Sequence, residues 1–69
     1  MSVETMSRRI SVIERGWPDA TTGVRAGFID ELGQISSCLR TVTGAEAERA
    51  EWLTRRLHRV IRKIGEAER

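Results

Sequence analysis

A chain of 69 residues with 12 basic and 10 acidic side chains, a net charge of +2, 39% hydrophobic residues and 4% aromatic ones describes one small domain with an aliphatic core. At this length a single core only just offsets the entropy of ordering the chain, and small domains ordinarily pass that limit with disulfides, a metal or a partner. One cysteine, Cys38, and one histidine, His58, exclude an internal disulfide and a zinc ligand set, so no metal or cofactor is expected and association with another chain is.

Residues 2–15 place Val3, Met6, Ile10 and Ile13 at three-four-three spacing, with Ser2 able to cap the start and Gly16 able to end the run. The spacing predicts a short helix that needs docking, since a helix of this length is marginal alone in water. A strand over residues 7–12 is the rival, because Ile10 and Val12 alternate with polar residues. Gly16-Trp17-Pro18-Asp19 then breaks the pattern, as Pro18 biases Trp17 away from helix.

A long helix is predicted over residues 21–43, capped from among Asp19, Thr21 and Thr22 and carrying the ladder Phe28, Leu32, Ile35, Leu39 and Val42. Gly27 and Gly33 lower its propensity and are read as points of close helix approach. Its back, formed by Ala26, Asp30, Gly33 and Ser37, is small enough for another helix to rest on or is an ordinary solvated face. In Thr43-Gly44-Ala45-Glu46 a glycine can leave one helix while threonine and glutamate form a capping box for the next. A second long helix over residues 45–65 carries Ala50, Leu53, Leu57, Val60 and Ile64, and residues 66–69 should fray.

The two long helices form an antiparallel hairpin, and Val24, Ile29, Cys38 and Ile61 widen its apolar arc beyond what one neighbouring helix can cover. The expected fold is therefore all-α: one domain over residues 1–69, dimerising into a four-helix bundle made of two hairpins. Its shared core would take Phe28, Leu32, Ile35, Leu39 and Val42 with Leu53, Leu57, Val60, Ile61 and Ile64. The alternative is a three-helix monomer in which Met6, Ile10 and Ile13 close the hairpin.

Charge is uneven: residues 1–44 hold five basic and five acidic side chains, and residues 45–69 hold seven and five. Trp52, Arg56, Arg59 and Lys63 share one stripe about 120° around the last helix from its apolar ladder. Tryptophan and arginine are common anchors of protein interfaces, so this stripe is the expected docking strip, with Trp17 as a second candidate that either enters a partner pocket or plugs its own hairpin. The competing readings are that acidic residues early and basic residues late simply suit the helix dipole, and that Arg56 covers the Trp52 ring. Cys38 is expected to be a small buried hydrophobe.

An enzyme is not expected. His58 lies among Arg55, Arg56, Arg59 and Arg62 with no acidic orienter and no nucleophile at a recognisable spacing, and Gly23-Val24-Arg25-Ala26-Gly27 lacks the lysine and spacing of a phosphate loop. A ribbon-helix-helix repressor, with Arg8 and Arg9 on paired strands, is the alternative function, although long helices and modest charge argue against nucleic acid. No segment has the roughly 20 apolar residues of a membrane span. Residues 1–16 hold Glu4, Arg8, Arg9, Glu14 and Arg15 and no unbroken apolar run, so a cytoplasmic protein is expected.

The 69-residue length, the early Trp17-Pro18 turn, the two long helices joined by Thr43-Gly44-Ala45-Glu46 and the basic strip around Trp52 together resemble small bacteriophage anti-quorum-sensing proteins. That resemblance covers the whole chain. It implies a dimeric inhibitor made early in infection that acts in the host cytoplasm on two host proteins: a LuxR-type quorum-sensing activator and the ATPase that assembles type IV pili.

Overall fold

The computed structural model describes residues 2–67, which form three α-helices: α1 (Val3–Gly16), α2 (Thr22–Arg40) and α3 (Ala47–Ala67). α1 starts where the Ser2 hydroxyl accepts the Thr5 amide at 3.1 Å, one of the backbone donors a helix start leaves without an internal partner. Residues 7–12 lie inside it, so the strand reading is overturned and with it the paired strands that a ribbon-helix-helix layout requires. Four apolar residues on one face of this segment outweigh the two that alternate.

Trp17–Asp19 forms a 3₁₀ turn with Pro18 in its first turn, and α2 begins after Thr21, whose hydroxyl accepts the Val24 amide at 3.3 Å. α2 ends at Arg40 rather than at 43, as the Thr41 hydroxyl donates to the Cys38 carbonyl at 2.8 Å and closes off the last turn. Gly44, at φ 73°, makes the turn in the left-handed conformation that glycine adopts without strain. The expected capping box does not form: Thr43 makes no side-chain cap bond, Gly44–Glu46 is a 3₁₀ turn, and α3 starts at Ala47 rather than 45. α3 continues through residues 66 and 67, which were expected to fray; residues 68 and 69 lie outside the described residues.

α2 runs antiparallel to both neighbours, so α1 and α3 are parallel. Arg56 reaches Ser7 and Ser11, and Lys63 approaches Glu14, while Arg9 pairs with Glu31 across to α2. The body measures 38 × 19 × 16 Å. Its core joins Val3, Met6, Ile10 and Ile13 of α1 to Leu32, Ile35 and Leu39 of α2 and to Ala50, Leu53, Leu57 and Val60 of α3. The largest fully buried side chains are Met6, Ile10, Ile13, Ile35, Leu53 and Leu57, half of them from α1.

The hairpin ladders that a second copy was expected to cover are thus covered by α1 of the same chain. Phe28, Val42, Cys38 and Ile64 pack at the core margin, but Ile61 is 45% exposed and does not belong to the core. Gly27 and Gly33 are not close-approach points either, since a Cβ added at either meets nothing within 4 Å. At Gly16 an added Cβ would meet the Phe28 ring at 3.5 Å, an ordinary contact distance.

Replacing Ile10 by alanine should lower unfolding free energy by about 2–5 kcal/mol, matching Leu57→Ala, whereas Ile61→Ala should stay within about 0.5 kcal/mol of the parent. Denaturant titration followed by circular dichroism measures all three, and an Ile10→Ala midpoint equal to the parent's would place α1 outside the core.

Candidate docking groove

Beside its core stripe α1 carries a polar flank, Ser7, Ser11 and Glu14, spaced so that all three face α3. Serine is short enough for an arginine of the facing helix to reach its backbone. Arg56 does so: its guanidinium donates to the Ser7 carbonyl at 3.4 Å, the Ser7 hydroxyl at 3.1 Å and the Ser11 hydroxyl at 2.7 Å, and lies 3.8 Å from a Glu14 carboxylate oxygen. The Ser11 hydroxyl donates onward to the Ser7 carbonyl at 3.2 Å. Arg56 therefore belongs to the helix pair, with a side chain only 22% exposed, and is not a free member of the docking strip.

Either side of this strut the α1/α3 seam opens into a cleft. Toward the start of both helices, a cleft of about 490 Å³ is lined by Val3, Glu4, Ser7, Arg8, Arg49, Trp52 and Leu53. Toward their ends, a second of about 410 Å³ lies among Glu14, Trp52, Arg59, Val60 and Lys63, with Arg56 between. Trp52 lines both. The residue is 59% exposed and makes no hydrogen bond, ring stack or cation–π contact among the described residues, so the competing reading of a ring covered by Arg56 does not hold.

The rim beyond the strut is basic. Lys63 lies 3.9 Å from Glu14, which already faces Arg56, and Arg59 has no ion pair among the described residues. Surface pairs of this length contribute little to stability, so these cations stay available to a ligand. The structure thus brings Trp52, Arg59 and Lys63 together along one groove and adds Val3, Leu53 and Val60 as its apolar lining.

Trp17 does not join them. It is 5% exposed, tilted against Phe28 with ring centroids 6.4 Å apart, and covered by the Arg25 guanidinium at 5.1 Å. Arg25 also donates to the Trp17 carbonyl at 3.1 Å and to the Pro18 carbonyl at 3.3 Å, locking the turn onto α2. Trp17 is the plug at the α1–α2 end, and the reading of it as a partner-binding residue is corrected on that burial. Its Nε1–H is buried with no hydrogen-bond partner among the described residues, which carries a desolvation cost.

On the opposite flank of α1, Arg9 donates to both Glu31 oxygens, at 2.9 and 2.8 Å, in a forked pair that ties α1 to α2. The Glu31 hydrogen bonds, and then its charge, raise the Arg9 guanidinium above its ordinary pKa. The Arg9–Glu31 pair and the bonds from Arg25 to the Trp17 turn join residues too far apart for the sequence to show. The only available signal was that Ser7, Ser11 and Glu14 trace a polar line beside the apolar one, which marks a flank without saying what crosses it. His58 is exposed, Cys38 is a half-buried free thiol at the core margin, and no three potential metal ligands cluster among the described residues. The small face of α2 around Asp30, Gly33 and Ser37 is solvated.

The two indoles should separate cleanly in solution. Trp52→Phe leaves Trp17 alone and should emit toward the blue with weak acrylamide quenching, while Trp17→Phe leaves Trp52 alone and should emit near free tryptophan with strong quenching. Fluorescence of the two variants checks this, and equal quenching would contradict the opposite placements.

No protein-family model matches the chain, and neither the curated proteins nor the solved structures contain a match. Function has to be read from the groove itself.

Proposed function

We propose that this chain is a non-enzymatic protein-binding inhibitor that docks on its target through the α1/α3 groove. One observation carries the reading: Trp52, 59% exposed and with no hydrogen-bond, ring or cation partner among the described residues, borders two clefts. A large apolar ring left in water between two clefts of mixed lining, beside a basic rim, has the make-up of an interface anchor, where a few aromatic and arginine residues supply most of the binding energy. Metal and cofactor chemistry have no part in this proposal.

Together with the resemblance to phage anti-quorum-sensing proteins, the reading makes the first targets to test a LuxR-type quorum-sensing activator and the type IV pilus assembly ATPase, both in the host cytoplasm. A homodimer belongs to the same proposal in altered form. Its support is the apolar surface left outside the closed core, Val24 at 47%, Ile29 at 57% and Ile61 at 45% exposed, so two copies associate as complete three-helix units. DNA binding by paired strands has no support, because residues 7–12 are helical.

Trp52→Ala should weaken binding to the purified activator or ATPase by about thirtyfold, the loss of a typical hot spot, while leaving the melting temperature within about 2 °C of the parent. Isothermal titration and thermal denaturation measure the two quantities, and unchanged affinity would reject the groove. Sedimentation equilibrium should show a reversible dimer that Ile29→Glu weakens, and a single monomeric species at every concentration would remove the dimer from the reading.

A further inference from the structure

We infer that the α1/α3 groove accepts an acidic amphipathic helix, a step that rests on the docking reading and goes beyond it by fixing the chemistry of the occupant. The two clefts are lined by Arg8, Arg49, Arg56, Arg59 and Lys63 against Glu4 and Glu14 alone. Glu4 is taken up by Arg8 at 2.8 Å and Glu14 is shared between Arg56 and Lys63, while Glu46 just outside lies 3.6 Å from Arg49. The surplus is positive at the far end of the groove, where Arg56, Arg59 and Lys63 face Glu14 alone and Arg59 has no ion pair among the described residues, whereas Arg8 and Arg49 are each matched by an acid.

Between the two ends the outer edges of buried core side chains form the floor, with Ser7, Glu14 and Arg56 beside them. Leu53 with Val3 marks one cleft and Val60 the other, and the positions 53 and 60 lie two turns apart on α3, about 10 Å along its axis. A ligand helix whose apolar residues recur every two turns presents one side chain to each cleft, with the Trp52 ring standing between them. From Arg49 to Lys63 the groove runs about 21 Å, which a helix of about 14 residues spans. Carboxylates at one end of that helix meet Arg59 with Lys63, and at the other end they compete with Glu4 and Glu46 for Arg8 and Arg49. A phosphate backbone fits less well, because it has no apolar side chains for the two clefts and would pass Glu4 and Glu14.

The test uses the full chain labelled uniformly with fluorotryptophan, so that fluorine NMR reports Trp52 at the groove and Trp17 at the plugged end in one sample. Three probes are titrated: a synthetic helical peptide of about 14 residues with leucines two turns apart and glutamates at both ends, the same peptide with lysines for glutamates, and a DNA duplex of similar length. The glutamate peptide should shift the Trp52 resonance saturably and leave Trp17 unmoved. Its affinity should fall about tenfold or more between about 0.05 M and about 0.5 M salt. Arg59→Glu combined with Lys63→Glu should cost at least about tenfold, with the unmoved Trp17 resonance showing that the fold persists.

Equal shifts with the lysine peptide would overturn the inference and leave the docking reading standing. No response of Trp52 to either peptide at millimolar concentration would reject both, and a response to the duplex with none to the glutamate peptide would reassign the groove to nucleic acid.

Discussion

The structure depends on one contact, the burial of the α1 stripe Met6, Ile10 and Ile13 against the α2–α3 hairpin. All three side chains are fully buried, and burying a large aliphatic side chain contributes about 1.5–3 kcal/mol. A helix as short as α1 does not hold its shape alone in water, so its folding and its docking are one event. Without it, the Leu53 and Leu57 side of α3 would face solvent. With it, the chain conceals its own core, and what it presents to other molecules is the seam along which α1 was laid.

Polar contacts set where that seam lies. The Arg9–Glu31 fork on one flank of α1 and the Arg56 bonds to Ser7 and Ser11 on the other fix its position between α2 and α3. Because Arg56 crosses the seam at mid-length, the groove is divided into two clefts, and Trp52, one turn before Arg56, stands where they meet. A residue that reads in the sequence as part of a basic docking strip is the strut that shapes the groove, while the cations beyond it, Arg59 and Lys63, keep the exposed positions.

How much of this is legible in the sequence follows from the range of each interaction. Helix type and the buried face come from apolar spacing, a local property, and the three helices with their ladders appear where the spacing predicts them. Helix ends are less legible: α2 stops early because the Thr41 hydroxyl bonds to the Cys38 carbonyl, and the Thr43 capping box gives way to a 3₁₀ turn. Which neighbour covers a ladder is not legible from period at all, and an apolar arc too wide for one helix is satisfied equally by a second copy or by α1. The surroundings of Trp17 and Arg56 are illegible for the same reason, since they are Phe28 and Arg25 across a turn, and Ser7 and Ser11 more than forty residues away. The exposure of Trp52 is legible because it depends only on its position around α3.

Native-state hydrogen exchange on the intact chain tests the closure of the core most directly. If α1 completes the core, the amides of Ile10 and Ile13 exchange only through global unfolding, at the same free energy of opening as those of Ile35 and Leu57. Opening of Ile10 and Ile13 at a much lower free energy, with Ile35 and Leu57 still protected, would mean that the hairpin is folded without α1 and that the groove beside Trp52 is not a fixed feature of the protein.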